Sequence, residues 1–75
     1  MKYKTLRRKA SANSCDYFAF DANGKAYGFY AHPRIKKDLK IWGGAACQYL
    51  GVLDRDDEPH HWTESLKRLR GNYDI

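Results

Sequence analysis

The side chains best suited to chemistry are few and widely spaced. Two cysteines, Cys15 and Cys47, and three histidines, His32, His60 and His61, are the candidate zinc ligands. Zinc sites are usually built on close Cys-Cys or His-His pairs, because neighbouring ligands preorganise the tetrahedron. Neither a Cys-x-x-Cys nor a His-x3-His spacing occurs. His60 and His61 are adjacent, and consecutive side chains on a helix diverge by roughly 100°. They read as surface histidines at a helix start. Asp21-Ala22-Asn23-Gly24 shares part of a calcium loop but lacks the later oxygens and the distal bidentate Glu, so it reads as a hairpin turn. Nucleophilic catalysis needs Ser or Cys beside a His and an orienting acid. Cys47 and His60 are one pair that folding can bring together, but a buried structural thiol is the simpler reading of Cys47. Gly43-Gly44 is a turn and not a phosphate cradle. A chain of 75 residues also leaves little room for a water-excluding pocket of about 300 Å³ or more. No metal, cofactor or catalytic group is expected, and the protein reads as a non-enzyme.

Charge offers more. The formal net charge is +5, unevenly placed. Lys2, Lys4, Arg7, Arg8 and Lys9 make the N-terminus basic. Arg34, Lys36, Lys37 and Lys40 surround the single acid Asp38, and Lys67, Arg68 and Arg70 form a third cluster. Asp54, Asp56, Asp57 and Glu58 form one acidic segment. Such fields steer an acidic protein surface or a phosphate backbone toward the chain. The bland reading of the same charges is a solubilising surface. Tyr3, Tyr27, Phe29, Tyr30 and Trp42 lie among the cations, so phosphate contacts could combine with base stacking. No helix-turn-helix, zinc-finger or RNA-recognition signature accompanies them. Tyr and Arg are also common anchors of protein interfaces. The candidate partner-binding residues are therefore Arg7, Arg8, Lys9, Arg34, Lys36, Lys37, Lys40 and Tyr30.

These groups need a scaffold. A hydrophobic content of 43% supports a folded domain. Domains of this size bury only about 60% of their unfolded surface, so the eleven aromatic residues (two Trp, six Tyr, three Phe) are the main source of core. Residues 1–14 show no clear periodicity. Lys2 to Leu6 can form a short strand and Arg7 to Ala12 a helical turn, and the segment is read as a basic, ordered or partly ordered N-terminal arm. A single domain is expected over 15–75. Cys15–Phe20 and Lys25–Ala31 read as strands of a hairpin spanning 15–32, joined at Asp21-Ala22-Asn23-Gly24. Alternation puts Tyr17 and Ala19 on one face and Phe18 and Phe20 on the other, so both faces should be covered. Arg34 to Lys40 reads as a polar connection. Further strands are expected near 40–42 and 46–53, the latter turning Cys47, Tyr49 and Leu53 inward, with a bulge at Gly51. Asp56 or Asp57 can cap a C-terminal helix near 58–70. Trp62, Leu66, Leu69 and Tyr73 supply its stripe and Gly71 its stop. The predicted class is α+β, a three- to four-stranded antiparallel sheet with a C-terminal helix. The two cysteines follow no hydrophobic signal segment, which predicts free thiols in a cytoplasm.

The pattern Tyr17-x-Ala19-x-Asp21-x-Asn23-Gly24-x-x-Tyr27-x-Phe29, then Pro33, Trp42, Cys47-x-Tyr49-Leu50-Gly51 and Trp62-x-x-Ser65-Leu66, resembles short accessory proteins of bacteriophages and prophages. It covers roughly residues 15 to 70. The resemblance implies phage origin and action in the cytoplasm of an infected bacterium by stoichiometric binding. It implies a non-enzymatic inhibitor of a host protein or ribonucleoprotein complex, such as a CRISPR-Cas defence machine. The alternative is a small basic nucleic-acid-binding or transcription-modulating phage protein, and a third possibility is a structural accessory protein. No membrane partner is implied.

Overall fold

The central hairpin forms as its turn chemistry dictates. In the computed structural model, which describes residues 1–69, β1 (Tyr17–Phe20) pairs antiparallel with β2 (Lys25–Phe29), Tyr17 opposite Phe29 and Phe20 opposite Ala26. The Gly24 N–H donates to the Asp21 carbonyl at 2.9 Å, and the Asp21 N–H to the Lys25 carbonyl at 2.9 Å. Gly24 takes φ +87°, the left-handed position that follows a type I turn in such hairpins. Asn23 helps through its side chain, which accepts the Lys25 N–H at 3.0 Å.

Two more hairpin strands, β3 (Arg34–Lys36) and β4 (Ile41–Gly43), pair with each other and form a separate two-stranded sheet. Three of the seven residues of the expected polar connection, Arg34–Lys36, are thus strand. The strand near 40–42 exists, but it does not join the main sheet. The main sheet is completed by β5 (Cys47–Val52) on β2 and β6 (Lys67–Arg68) on β1, in the order β5-β2-β1-β6. Ala26 faces Gly51 and Tyr27 faces Tyr49, so the register steps over Leu50 in a bulge. A bulge changes the phase of side-chain alternation. Leu50 and Leu53 are buried, whereas Cys47 and Tyr49, expected inward, are exposed.

The described residues hold one α-helix, and it lies at the other end of the chain from the expected one. Helix α1 spans Tyr3–Ala12, where a short strand over Lys2 to Leu6 was one expectation. Tyr3, Leu6 and Ala10, at i, i+3 and i+7, meet the core. The predicted helix near 58–70 is absent over its described part. That segment runs through 3₁₀ turns at Arg55–Asp57 and Trp62–Glu64 and then extends as β6. Arg70, Gly71 and Tyr73, assigned to that helix, lie outside the described residues. The reason is the outer edge of β1, whose buried polar groups need partners. Phe18 and Tyr17 pair with Lys67 and Arg68. Ser65 completes the edge, its hydroxyl accepting the Phe20 N–H at 3.0 Å and lying 3.1 Å from the Phe20 carbonyl. Leu66 then joins the packing on one face and Leu69 that on the other, as an extended chain permits and a helical stripe does not.

Each sheet face has its own core. Leu6 and Ala10 of α1 pack with Cys15, Phe18, Phe20, Ala26, Leu50, Leu53 and Leu69 on one face. On the other, Ala19, Phe29 and Trp42 pack with Tyr17, Tyr27 and Ile35 beneath the β3–β4 hairpin. Both faces are covered, as the alternating aromatics require, one by α1 and the other by the second hairpin. Where α1 ends against β2, Gly28 leaves space that Cys15 fills. A Cβ there would meet the Cys15 side chain and lie 3.3 Å from the Ala10 Cβ. No described helix is long and apolar enough to cross a membrane.

Candidate functional site

The acidic segment anchors α1. The helix has no side-chain cap of its own at Lys2. Asp57 supplies one from across the fold, accepting the Tyr3 N–H at 2.6 Å. Asp54 accepts from the Met1 ammonium at 2.8 Å, which holds its carboxyl below the usual range. Asp57 therefore caps a helix, but the N-terminal one.

With Leu6 and Ala10 buried, the outer face of α1 carries Lys4, Arg7, Arg8 and Ser11, spaced i, i+3, i+4 and i+7. With Leu69 they line a shallow depression of about 330 Å³. The Arg7 guanidinium also lies 5.7 Å from the centre of the Tyr3 ring. Among the described residues no carboxylate pairs with Lys4, Arg7 or Arg8. Lys9 is turned away from this group, donating to the Leu50 carbonyl at 2.6 Å, so it braces α1 against β5.

Arg34, Lys36, Lys37 and Lys40 lie together on the β3–β4 hairpin, all exposed. This second basic patch sits on the opposite side of the main sheet from α1, so the two candidate clusters do not form one surface. The hairpin is fixed to the β1–β2 turn. The Ala22 N–H donates to the Lys40 carbonyl at 3.2 Å, and the Trp42 N–H to the Asp21 carboxylate at 2.8 Å. Asp21 is only 4% exposed, and burial raises its carboxyl above the ordinary value against the opposing pull of the Trp42 N–H and Lys25. The hairpin tip presents Leu39, 65% exposed, between cations, a feature charge reading alone did not single out. Tyr30 is exposed on a third region, its hydroxyl donating to the Asn13 carbonyl at 3.3 Å.

Between the second hairpin and the sheet runs a groove of about 340 Å³. Tyr27, Phe29, Trp42 and Cys47 are among its lining residues, with Lys25 and Asn23 also lining it. Tyr49, 51% exposed, extends the wall, its ring 5.5 Å from that of Tyr27. Lys25 and Tyr49 were not among the expected site residues. The bulge that exposes Tyr49 depends on pairing, which the sequence reading located at Gly51 without its consequence.

Among the described residues no three His, Cys, Asp or Glu side chains come together as metal ligands. Cys47 lines the groove, while His60 packs edge-on to Tyr3 beside α1, with ring centres 5.9 Å apart. The Cys15 thiol is buried, and burial pushes it up from its ordinary value. Compared with protein families, characterised proteins and solved structures, the chain has no match.

Proposed function

We propose that the protein acts by stoichiometric binding, docking the outer face of α1 on an acidic surface of a host protein or ribonucleoprotein. In the phage setting suggested by its hairpin pattern, the outcome is inhibition, with a CRISPR-Cas machine as the type of target. One observation carries the reading: Lys4, Arg7 and Arg8 share a helix face without carboxylate partners among the described residues. The nearest acidic segment is committed to the helix N-terminus through Asp57. Complementary charge across an interface raises the association rate and fixes register.

The test is retention of a bacterial protein on the immobilised chain after nuclease treatment, repeated with Arg7→Glu plus Arg8→Glu. The double variant should keep its fold, since both side chains are exposed, and should lose about tenfold or more in affinity. A retained fraction that holds nucleic acid and no protein, or retention that survives both reversals, overturns the reading.

A further inference from the structure

The groove on the other side of the sheet is built differently from the α1 face. We infer that it is a second binding site, for a single strand of nucleic acid, with bases stacked on Tyr49 and Tyr27 and phosphates held by Lys25 and Lys36. This inference is independent of the docking reading for α1.

Single-stranded nucleic acid is recognised by aromatic faces beside a basic track. Both parts are present on one surface. Tyr27 and Tyr49 are cross-strand partners in β2 and β5, with tilted rings 5.5 Å apart. Tyr49 is 51% exposed, so one aromatic face is offered to solvent by a rigid sheet. Lys25 precedes Tyr27 by two residues and so stands on the same face of β2. Beside the other wall, the aliphatic stem of Lys36 lies over Gly43, a lining residue, with its Cε 3.3 Å and its ammonium 3.7 Å from where a Cβ on that glycine would be. The missing side chain at Gly43 leaves room for that stem next to the groove. Arg34, Lys37 and Lys40 continue the positive charge along the same hairpin. The acid of the groove, Asp21, accepts from the Trp42 N–H and is nearly buried, so it is spent on structure. The groove volume of about 340 Å³ lies at the lower end of the roughly 300–1,000 Å³ that small ligands occupy, enough for one splayed base and not for a folded domain.

An occupant of this chemistry explains two features that a purely structural account leaves idle, the exposed Tyr49 and the cations at and beside the groove. A duplex does not fit the same site, because its bases are stacked inside and cannot reach Tyr27.

The probe is an oligothymidylate of about a dozen nucleotides, titrated into the purified chain while Trp42 emission and oligonucleotide anisotropy are followed. Binding should saturate and fall with salt, with a log–log slope of about −1.4 for two neutralised phosphates. Tyr49→Ala should weaken it about five- to 150-fold, the equivalent of one stacked base, without changing the circular dichroism spectrum. Lys36→Gln should flatten the salt slope by about 0.7. Absence of saturable binding at low salt overturns the inference. So does equal affinity for Tyr49→Ala, or loss of binding only on reversing Arg7 and Arg8, which would move the contact to α1.

Discussion

Replacing Ser65 with Ala isolates the group on which the C-terminal correction rests. Ser65 is fully buried. Its hydroxyl oxygen accepts the Phe20 N–H at 3.0 Å, and its one proton is shared between the Trp62 carbonyl at 2.7 Å and the Phe20 carbonyl at 3.1 Å. The hydroxyl thus stands where a backbone residue of a longer β6 would stand. Removing it leaves the Phe20 N–H without that acceptor in the core, and a buried donor left unpaired costs about 1–3 kcal/mol. The two carbonyls lose a donor as well, which brings the expected loss to about 2–3 kcal/mol. A chain of 75 residues has about 4–11 kcal/mol in total, so the change removes a large fraction. At about 4–8 °C per kcal/mol for a domain of this size, the melting temperature should drop by about 10–20 °C. Urea unfolding followed by tryptophan emission gives the free energy, and amide exchange locates the damage at Phe20. Ser65→Cys, which keeps a weak donor of similar shape, should fall between the two. A loss under about 0.5 kcal/mol, within the range of ordinary surface changes, would refute the reasoning, as would unchanged exchange at Phe20.

Asp21→Asn probes the hairpin junction by pH. Burial raises the Asp21 carboxyl in the folded chain, so its contribution to stability is present below the ordinary carboxylate range and is lost as pH rises through the raised value. Asn keeps an acceptor for the Trp42 N–H without the charge, so the variant should lack this decline and match or exceed the parent at pH 7 in urea unfolding. A variant that declines over the same window as the parent contradicts the assignment. Asp57→Ala should cost about 0.5–2 kcal/mol, the usual effect of losing a helix cap, and should speed amide exchange in α1 before the sheet. Unchanged exchange at Tyr3 would show that Asp57 does not cap it.

The central hairpin was legible because its information is local. Asp21, Asn23 and Gly24 carry the turn in their own chemistry, and the aromatic alternation of Tyr17 to Phe20 announced two covered faces. The helix was misplaced for the opposite reason. Tyr3, Leu6 and Ala10 make a thin apolar stripe, and the cap on that stripe lies 54 residues away. Trp62, Leu66 and Leu69 match a helical spacing, yet three residues also fit an extended chain that sends side chains to alternate faces. What decides is the demand of β1 for partners on its outer edge, which no window around residue 65 contains. The site divides in the same way. Arg7 and Arg8, and the lysines of the second hairpin, are surface groups wherever the chain runs. That they occupy opposite sides of a sheet, that Lys9 reaches the Leu50 carbonyl, and that Tyr49 turns outward at a bulge are all consequences of pairing.

The distribution of acids connects the fold to both proposed surfaces. Asp57 caps α1, and Asp21 is consumed at the junction of the hairpins. Each acid committed in this way serves a backbone N–H and leaves cations elsewhere uncompensated. On α1 the result is Lys4, Arg7 and Arg8 on a helix whose N-terminus is held by an acid from another element. A basic face there is electrostatically costly for the helix, since cations in the first turns oppose the macrodipole. Asp57 offsets that cost at the first turn, which allows the outer face to remain basic. On the second hairpin, the Asp21 carboxylate fixes Trp42 and with it the wall that carries Lys36. The same carboxylates that hold the two elements in place therefore set the charge of the surfaces they present. Converting Asp21 or Asp57 to alanine, which removes the acceptor as well as the charge, should accordingly loosen its own element while leaving the fixed charge on the opposite face unchanged, so the two surfaces can be perturbed one at a time.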